Sequence, residues 1–338
     1  MRTKTSLSIG IVGAGAITRK SHLPVLMNTP DVKIAWIYDQ RPETADVLAN
    51  AYGVRSVHST DLEQLPACDV SLVAIPVEAR GEYLRIFAAR GAAVLCEKPF
   101  SMGASEHSSW VAKFAPCMLG AGYMRRFFRS ALLMRRIVRE GMFGPLHGID
   151  VSEGNRSKGS GADSSFLDDP VLGASRGVLA DLGSHSIDLA LFVCGADAFE
   201  AHSSTRIMDG TVDRKVTAKI QLYGTAQEPG RPTELNYCVS WLDRQDNMIK
   251  LRFPHTTVWS GLGPAAEVYV GDPEHPRDAV SLSSEAIGAT TYNQAFFLEW
   301  KHFLEGIRAG QESLISARSA LLTTSLVEAL LSADLRPP

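Results

Sequence analysis

What this chain lacks narrows its function first. Cysteine is scarce: Cys68, Cys96, Cys117, Cys194 and Cys238 are the five, far apart and with no C-x-x-C pair. That spacing argues against a disulfide framework or a zinc site and fits free thiols in a reducing compartment. Neither sign of charge is in marked excess, since 34 Lys+Arg against 37 Asp+Glu leave a net charge of −3. General attraction to nucleic acid or to an anionic membrane calls for a basic surplus. No run approaches the ~20 apolar residues of a membrane span. The apolar run from Leu7 reaches Gly13 and Gly15 early, with no export-type cleavage site. The expectation is a soluble cytoplasmic protein that acts on small molecules, with no nucleic acid, membrane or metal partner.

What is present is enough for two cores: 338 residues, 45% of them apolar. From Leu7 to about Gly122, β-rich runs alternate with helical segments; Leu7–Val12, Lys33–Tyr38, Val70–Ile75, Val94–Cys96 and Met118–Ala121 read as strands. Strands separated by helices predict βαβ units and a parallel sheet. Beyond Tyr123 the texture changes. A helix over Ser130–Glu140, a strand near Leu146–Glu153 and a Gly/Ser/Asp-rich stretch precede a helix over Val178–Val193. Then come strand-like runs at Thr217–Tyr223, Leu235–Trp241, Met248–Phe253 and Glu267–Val270, followed by helices Tyr292–Arg308 and Ala317–Leu331. Strand after strand without intervening helices predicts an antiparallel sheet. The fold class expected is α/β: a doubly wound dinucleotide-type domain over residues 1–122, and an α+β domain with an open, mostly antiparallel sheet over 123–338.

The first strand runs into Gly13-Ala14-Gly15-Ala16-Ile17-Thr18. Gly13 permits a tight turn, Gly15 lets the backbone approach a pyrophosphate, and the following helix offers N–H groups. Thr18 replaces the third glycine of G-x-G-x-x-G. The second strand ends in Tyr38-Asp39, about 24 residues after Gly15, where a carboxylate can accept hydrogen bonds from ribose hydroxyls. The plainer reading of Asp39 is a turn residue. An acid here repels a 2′-phosphate and so favours NAD, whereas Arg41 can clamp that phosphate and leaves NADP possible.

Two further segments are specific. Glu97-Lys98-Pro99 follows the Val94–Cys96 strand, and Gly177 to Asp188 reads G-x-L-x-D-x-G-x-H-x-I-D. With the glycine turn, these resemble the glucose–fructose oxidoreductase/inositol dehydrogenase/MocA family of nicotinamide-dependent oxidoreductases, from about Leu7 to the C-terminal helix. The resemblance implies a Rossmann domain and a second domain whose sheet mediates oligomerisation. It also implies hydride transfer at a hydroxyl-bearing carbon of sugars, cyclitols and related molecules. It implies that Lys98 lies beside the nicotinamide, that Asp181 and His185 face the reacting hydroxyl, and that a cis peptide precedes Pro99. The cofactor-binding candidates are Gly13, Gly15, Ala16, Ile17, Asp39, Gln40, Arg41, Pro76, Glu97 and Lys98; the catalytic candidates are Lys98, Asp181 and His185. The chain departs from the family where T-P-N-x-x-H is common: it has Ile75-Pro76-Val77-Glu78-Ala79-Arg80. In the R-R-F segment, Arg126 reads as a domain-linking salt bridge, the alternative being a contact with cofactor or substrate.

The residues support this chemistry independently. Asp181 and His185 are four apart in a helical stretch and share a face; an imidazole with a pKa near ~6.5 can give or take the hydroxyl proton. Lys98 at a strand's carboxyl end can stabilise a developing alkoxide, its plainer role being a pair with Glu97. His22 reads as packing, and the loop Asn155–Asp169 as either a cover for substrate or a disordered segment. The function expected is an NAD(P)-dependent oxidoreductase acting on a sugar, amino sugar, cyclitol or related polyol. The alternatives are an NAD-dependent glycosidase and a non-catalytic NAD-binding regulator. A sheet apolar on one face and weakly polar on the other predicts a homodimer or homotetramer.

Overall fold

The computed structural model describes residues 6–155, 177–224, 231–282 and 288–332. In chain order, the first elements are β1 (Leu7–Val12), α1 (Leu23–Met27), β2 (Val32–Tyr38), α2 (Pro42–Tyr52) and β3 (Ser56–Val57). They continue as β4 (Val70–Val73), α3 (Gly81–Ala89), β5 (Ala93–Glu97), α4 (Ala104–Lys113) and β6 (Leu119–Gly122). Then follow α5 (Arg129–Glu140), β7 (Gly148–Gly154), α6 (Ser184–Cys194), β8 (Ala198–Asp209), β9 (Val212–Tyr223) and β10 (Thr233–Ser240). The last are β11 (Met248–Arg252), β12 (Thr257–Gly261), β13 (Val268–Gly271), β14 (Val280–Leu282), α7 (Tyr292–Ala309) and α8 (Leu321–Ser332).

The chain packs into two compact units. The first comprises the chain up to Ser101 with Ser105–Met124 and Tyr292–Leu321; the second comprises Met102–Ala104, Arg125–Thr291 and the chain from Leu322. A single boundary at residue 122 therefore does not describe the chain, because α7 returns to the first unit. Phe296, Trp300 and Phe303 form a buried stripe on α7, and that stripe finds its cover on α1 and the turn before it.

In the first unit all strands run parallel in the order β3-β2-β1-β4-β5-β6. β4 and β5 are buried along their whole length, as strands covered by helices on both faces must be. The order reverses between β1 and β4, and open sheets of this kind bind ligands at such a switch point, outside the strands' carboxyl ends.

The second unit holds a sheet ordered β14-β13-β12-β11-β7-β10-β9-β8, antiparallel except for the pair β7–β10. β8 escaped the sequence reading because it is an edge strand, mostly exposed, with no apolar alternation. β3 is only two residues long, too short for a period to show. The inner row of Leu235, Tyr237, Val239, Ile249 and Leu251 is buried. The opposite row is more polar than expected: Asn236 donates to Asp150 at 2.8 Å, and Arg252 pairs with Glu234 at 2.9 Å and with Asp150 at 3.2 Å. An exposed apolar patch is thus not the feature of this face. Of the loop Asn155–Asp169, all but Asn155 lies outside the described residues.

His107 on α4 donates through Nε2 to the carbonyl of Ala317 at 2.8 Å and lies against Phe100, fully buried. Burial pulls its pKa down to about 4, against opposing contributions from that hydrogen bond and Glu106. The unfolded chain then binds a proton between its ordinary 6.5 and 4 that the folded chain refuses, so stability falls as pH drops through that window. The loss expected is about 3 kcal/mol. Urea denaturation at pH 7.5 and 4.5 should show it in the wild type, and His107→Gln should remove that part of the slope.

Candidate active site

The turn after β1 has a shape that only glycine can start. Gly13 has φ +99°, and a Cβ there would lie 2.3 Å from the backbone oxygen of Ala74. Thr18, where a third glycine was expected, is buried and donates its hydroxyl to the Gly13 carbonyl at 2.6 Å. It closes the turn by a hydrogen bond instead of by close packing. Gly15 is different: a Cβ built on it meets nothing within 4 Å, so the turn opens onto free space that a phosphate can occupy. Ala16 is half-buried beside it and Ile17 exposed.

Asp39 follows β2. Its Oδ2 accepts from Ala14 N at 2.9 Å and its Oδ1 from Arg41 N at 3.0 Å. The carboxylate therefore ties the glycine turn to the β2 end and keeps lone pairs for ribose hydroxyls. Gln40 and Arg41 are exposed, and the Arg41 guanidinium stands 4.0 Å from Asp39. Pro76 is exposed beyond β4.

Glu97, at the last position of β5, is buried beneath the Lys98–Pro99 turn, whose peptide bond is cis. Its Oε1 lies 2.7 Å from His22 Nε2, and its Oε2 accepts from Lys98 N at 3.0 Å. Trp300 Nε1 donates to His22 Nδ1 at 2.9 Å. An indole N–H can only donate, so Nδ1 carries the lone pair and Nε2 carries the proton that reaches Glu97. Burial raises the Glu97 pKa, but the His22 hydrogen bond and the charges of Lys98 and Arg80 outweigh it and hold it below the ordinary value. Glu97 is thus engaged by His22 and by the backbone of Lys98. Arg80 is buried and reaches the same turn, donating to the carbonyls of Glu97, Pro99 and Phe100.

In the second unit the expected continuous helix from Val178 is broken in kind. Leu179–Gly183 forms a π-helical turn, and the α-helix begins at Ser184. Ser184 donates its hydroxyl to Ala180 O at 2.7 Å, a back-bond that competes with regular helix. Gly183 packs so closely on the sheet that a Cβ there would sit 2.8 Å from the Tyr237 hydroxyl. Asp213 on β9 accepts from Leu179 N at 2.8 Å and fixes the start of the turn. Asp181 lies in the turn, and His185, buried, in the first turn of α6. Such single π-turns are frequent at functional sites.

The glycine turn, the E-K-P turn and the D-x-x-x-H turn thus occupy three defined edges of two units. The profile of the oxidoreductase family with an NAD-binding Rossmann fold matches residues 7–123, and that of the GFO/IDH/MocA C-terminal domain matches residues 131–227. The chain belongs to the Gfo/Idh/MocA oxidoreductase family. It is 24% identical to the rhizopine catabolism protein MocA of Rhizobium meliloti over 98% of this chain and 97% of that protein. It is 23% identical to inositol 2-dehydrogenase of Rhizobium meliloti (strain 1021) over 60% of this chain. That match spans 59% of the dehydrogenase's own length. Among solved structures, an aldose-aldose oxidoreductase from Caulobacter crescentus complexed with glycerol superposes with a TM-score of 0.78 at 18% identity, covering 96% of each chain. An oxidoreductase from Agrobacterium radiobacter in complex with NAD+, L-tartaric acid and magnesium gives 0.76 at 19%, covering 98% of each. At these identities the likeness is one of fold.

Several residues of this Gfo/Idh/MocA chain take places that their sequence neighbourhood does not disclose. His22 is a hydrogen-bonding link to Glu97 as well as a packed ring. Arg126 pairs with Asp188 at 2.8 and 2.5 Å, and Thr323 donates to the same carboxylate at 3.0 Å. All three belong to the second unit, so this pair braces that unit from within. Arg125 pairs with Glu153 at 2.8 Å, both buried, and the Tyr237 hydroxyl lies 3.0 Å from that of Ser186. Burial lifts the Tyr237 phenol far above its ordinary pKa. Arg125, Arg126 and Asp188 stand in segments the sequence marks, whereas their neighbours Glu153 and Tyr237 come from β7 and β10, which carry no motif.

His22→Leu should leave the buried Glu97 carboxylate without its imidazole donor and the Trp300 indole without its acceptor. A loss of about 3 kcal/mol in urea denaturation is expected, with a smaller loss for His22→Gln, whose amide retains a donor.

Proposed function

We propose that this chain is an NAD-dependent oxidoreductase, with NADP as a possible alternative, that moves a hydride between the nicotinamide and a carbinol or carbonyl carbon of a sugar, amino sugar, cyclitol or related polyol. One observation carries the reading. The open glycine turn, Asp39, Pro76 and the Glu97-Lys98 turn all lie at the carboxyl ends of β1, β2, β4 and β5, around the switch point of one parallel sheet. The relatives' names support the substrate class, as they include inositol and D-glucoside dehydrogenases.

When bound, the nicotinamide accepts or supplies the hydride. The protein's part is proton movement, charge stabilisation and positioning. His185 is the acid/base group: its imidazole takes the hydroxyl proton in oxidation and returns it in reduction. Asp181 orients that imidazole or binds a neighbouring hydroxyl. Lys98 stabilises the negative charge that grows on the substrate oxygen. Gly13, Gly15, Ala16 and Ile17 cradle the pyrophosphate, and Asp39 with Gln40 and Arg41 receives the ribose.

Five free thiols support a cytoplasmic setting. We also infer a homodimer or homotetramer joined through the outer face of the second sheet. The polar row of Asp150, Glu234, Asn236 and Arg252 would make that contact by charge and hydrogen bonding, and a monomer by light scattering would overturn it.

A carbohydrate and cyclitol panel read at the NADH absorbance, with product analysis, tests the function. Bond cleavage with no net NADH would indicate a glycosidase, and binding without turnover a regulator. NAD should bind more tightly than NADP, because Asp39 repels a 2′-phosphate; isothermal titration showing NADP tighter by about tenfold would transfer the ribose site to Arg41. Lys98→Ala and His185→Ala should each lower turnover by about 10²–10⁴ with cofactor affinity nearly intact. Wild-type turnover in both would remove them from the reacting centre.

A further inference from the structure

Arg80 stands where the family commonly has histidine, and its surroundings explain what an arginine does there. It is 4% exposed. Its Nε donates to Ile75 O at 2.9 Å, in the segment after β4. Its Nη1 donates across to the turn after β5, to Glu97 O at 2.5 Å, to Pro99 O, and to Phe100 O at 3.3 Å. Every one of these partners is a backbone carbonyl. A buried guanidinium is costly to desolvate and is usually matched by a carboxylate. Here the charge also acts on the nearby Glu97 carboxylate, while the hydrogen bonds go to main-chain oxygens, two of which flank Lys98.

The same turn is held from its other side. Glu97 accepts the Lys98 N–H, and His22 holds Glu97. The carbonyls before and after Lys98 are gripped by Arg80, while its amide is gripped by Glu97. The rigid fork of an arginine presents donors on two sides and can span both segments, whereas a lysine ammonium is a single point of attachment.

We propose that Arg80 is the positioning residue for Lys98: it staples the segment after β4 to the E-K-P turn and so sets where the lysine ammonium stands at the cofactor edge of the sheet. The inference rests on the catalytic role proposed above for Lys98. It also gives the arginine a use at this position, since Arg80 reaches carbonyls after β4 and after β5, two neighbouring strands of the sheet.

The test compares Arg80→Met and Arg80→Lys, each alone and combined with Lys98→Ala. The readouts are NAD titration, kcat and KM on a substrate found by the panel, and amide hydrogen exchange over residues 96–102. In Arg80→Met, exchange over 96–102 should quicken by about tenfold while β1 and β2 keep their protection, a local loosening rather than a global one. kcat should fall by about 10²-fold, as for a misplaced catalytic group, with NAD affinity within about twofold. That loss should vanish when Lys98 is already alanine, because two residues acting through one another are non-additive. Arg80→Lys should recover part of the protection, and it serves if Arg80→Met does not fold. Unchanged exchange, or an equal fold-loss with and without Lys98, overturns the proposal. Wild-type turnover in Lys98→Ala alone would overturn the reading of Lys98 instead; the exchange measurement then decides separately whether Arg80 holds the turn.

Discussion

The first unit is organised around a carboxylate that cannot be buried alone. Glu97 lies under the E-K-P turn with almost no access to water, and a carboxylate so placed needs donors at both oxygens. One comes from its neighbour's backbone; the other comes from His22, at the end of the turn that leads into α1. His22 in turn needs a donor for its second nitrogen and finds the Trp300 indole on α7. A chain of three buried polar groups therefore fixes where the first helix and a helix nearly 280 residues later must lie. The return of α7 to the first unit follows from this chain and from the apolar stripe beside Trp300.

The second unit meets a related constraint with different means. Its motif-bearing turn must approach the sheet closely, and Gly183 against Tyr237 permits that approach. Asp213 caps the turn's start, and serine hydroxyls satisfy carbonyls that a π-turn displaces. Buried pairs Arg125–Glu153 and Arg126–Asp188 then hold the segment that leads into α5. Such pairs add little net stability over apolar packing, but removing one partner strands a buried charge.

Much of this was legible in the chain itself. The parallel sheet could be read because β4 and β5 are short apolar runs bounded by turn residues, and their burial on both faces is what such runs mean. The glycine turn, E-K-P and D-x-x-x-H motifs could be read because their chemistry depends on residues adjacent in sequence. β8 could not be read, as an exposed edge strand leaves no period. Nor could the turn at Leu179–Gly183: a four-residue spacing looks the same in an α-helix and in a π-turn, and the difference lies in Tyr237 and Asp213, contributed from distant strands.

Local periodicity was enough to read the fold class and the order of the two kinds of sheet, and the family resemblance carried by short motifs pointed to the candidate catalytic side chains. Only the tertiary structure decided the partners. That Glu97 belongs to His22 and His22 to Trp300, that Arg80 donates to carbonyls around Lys98, and that Arg126 pairs with Asp188 are all pairings between residues distant in the chain. A buried polar group must find a partner, yet the sequence states only the need. Which donor meets it is decided by the geometry of packing.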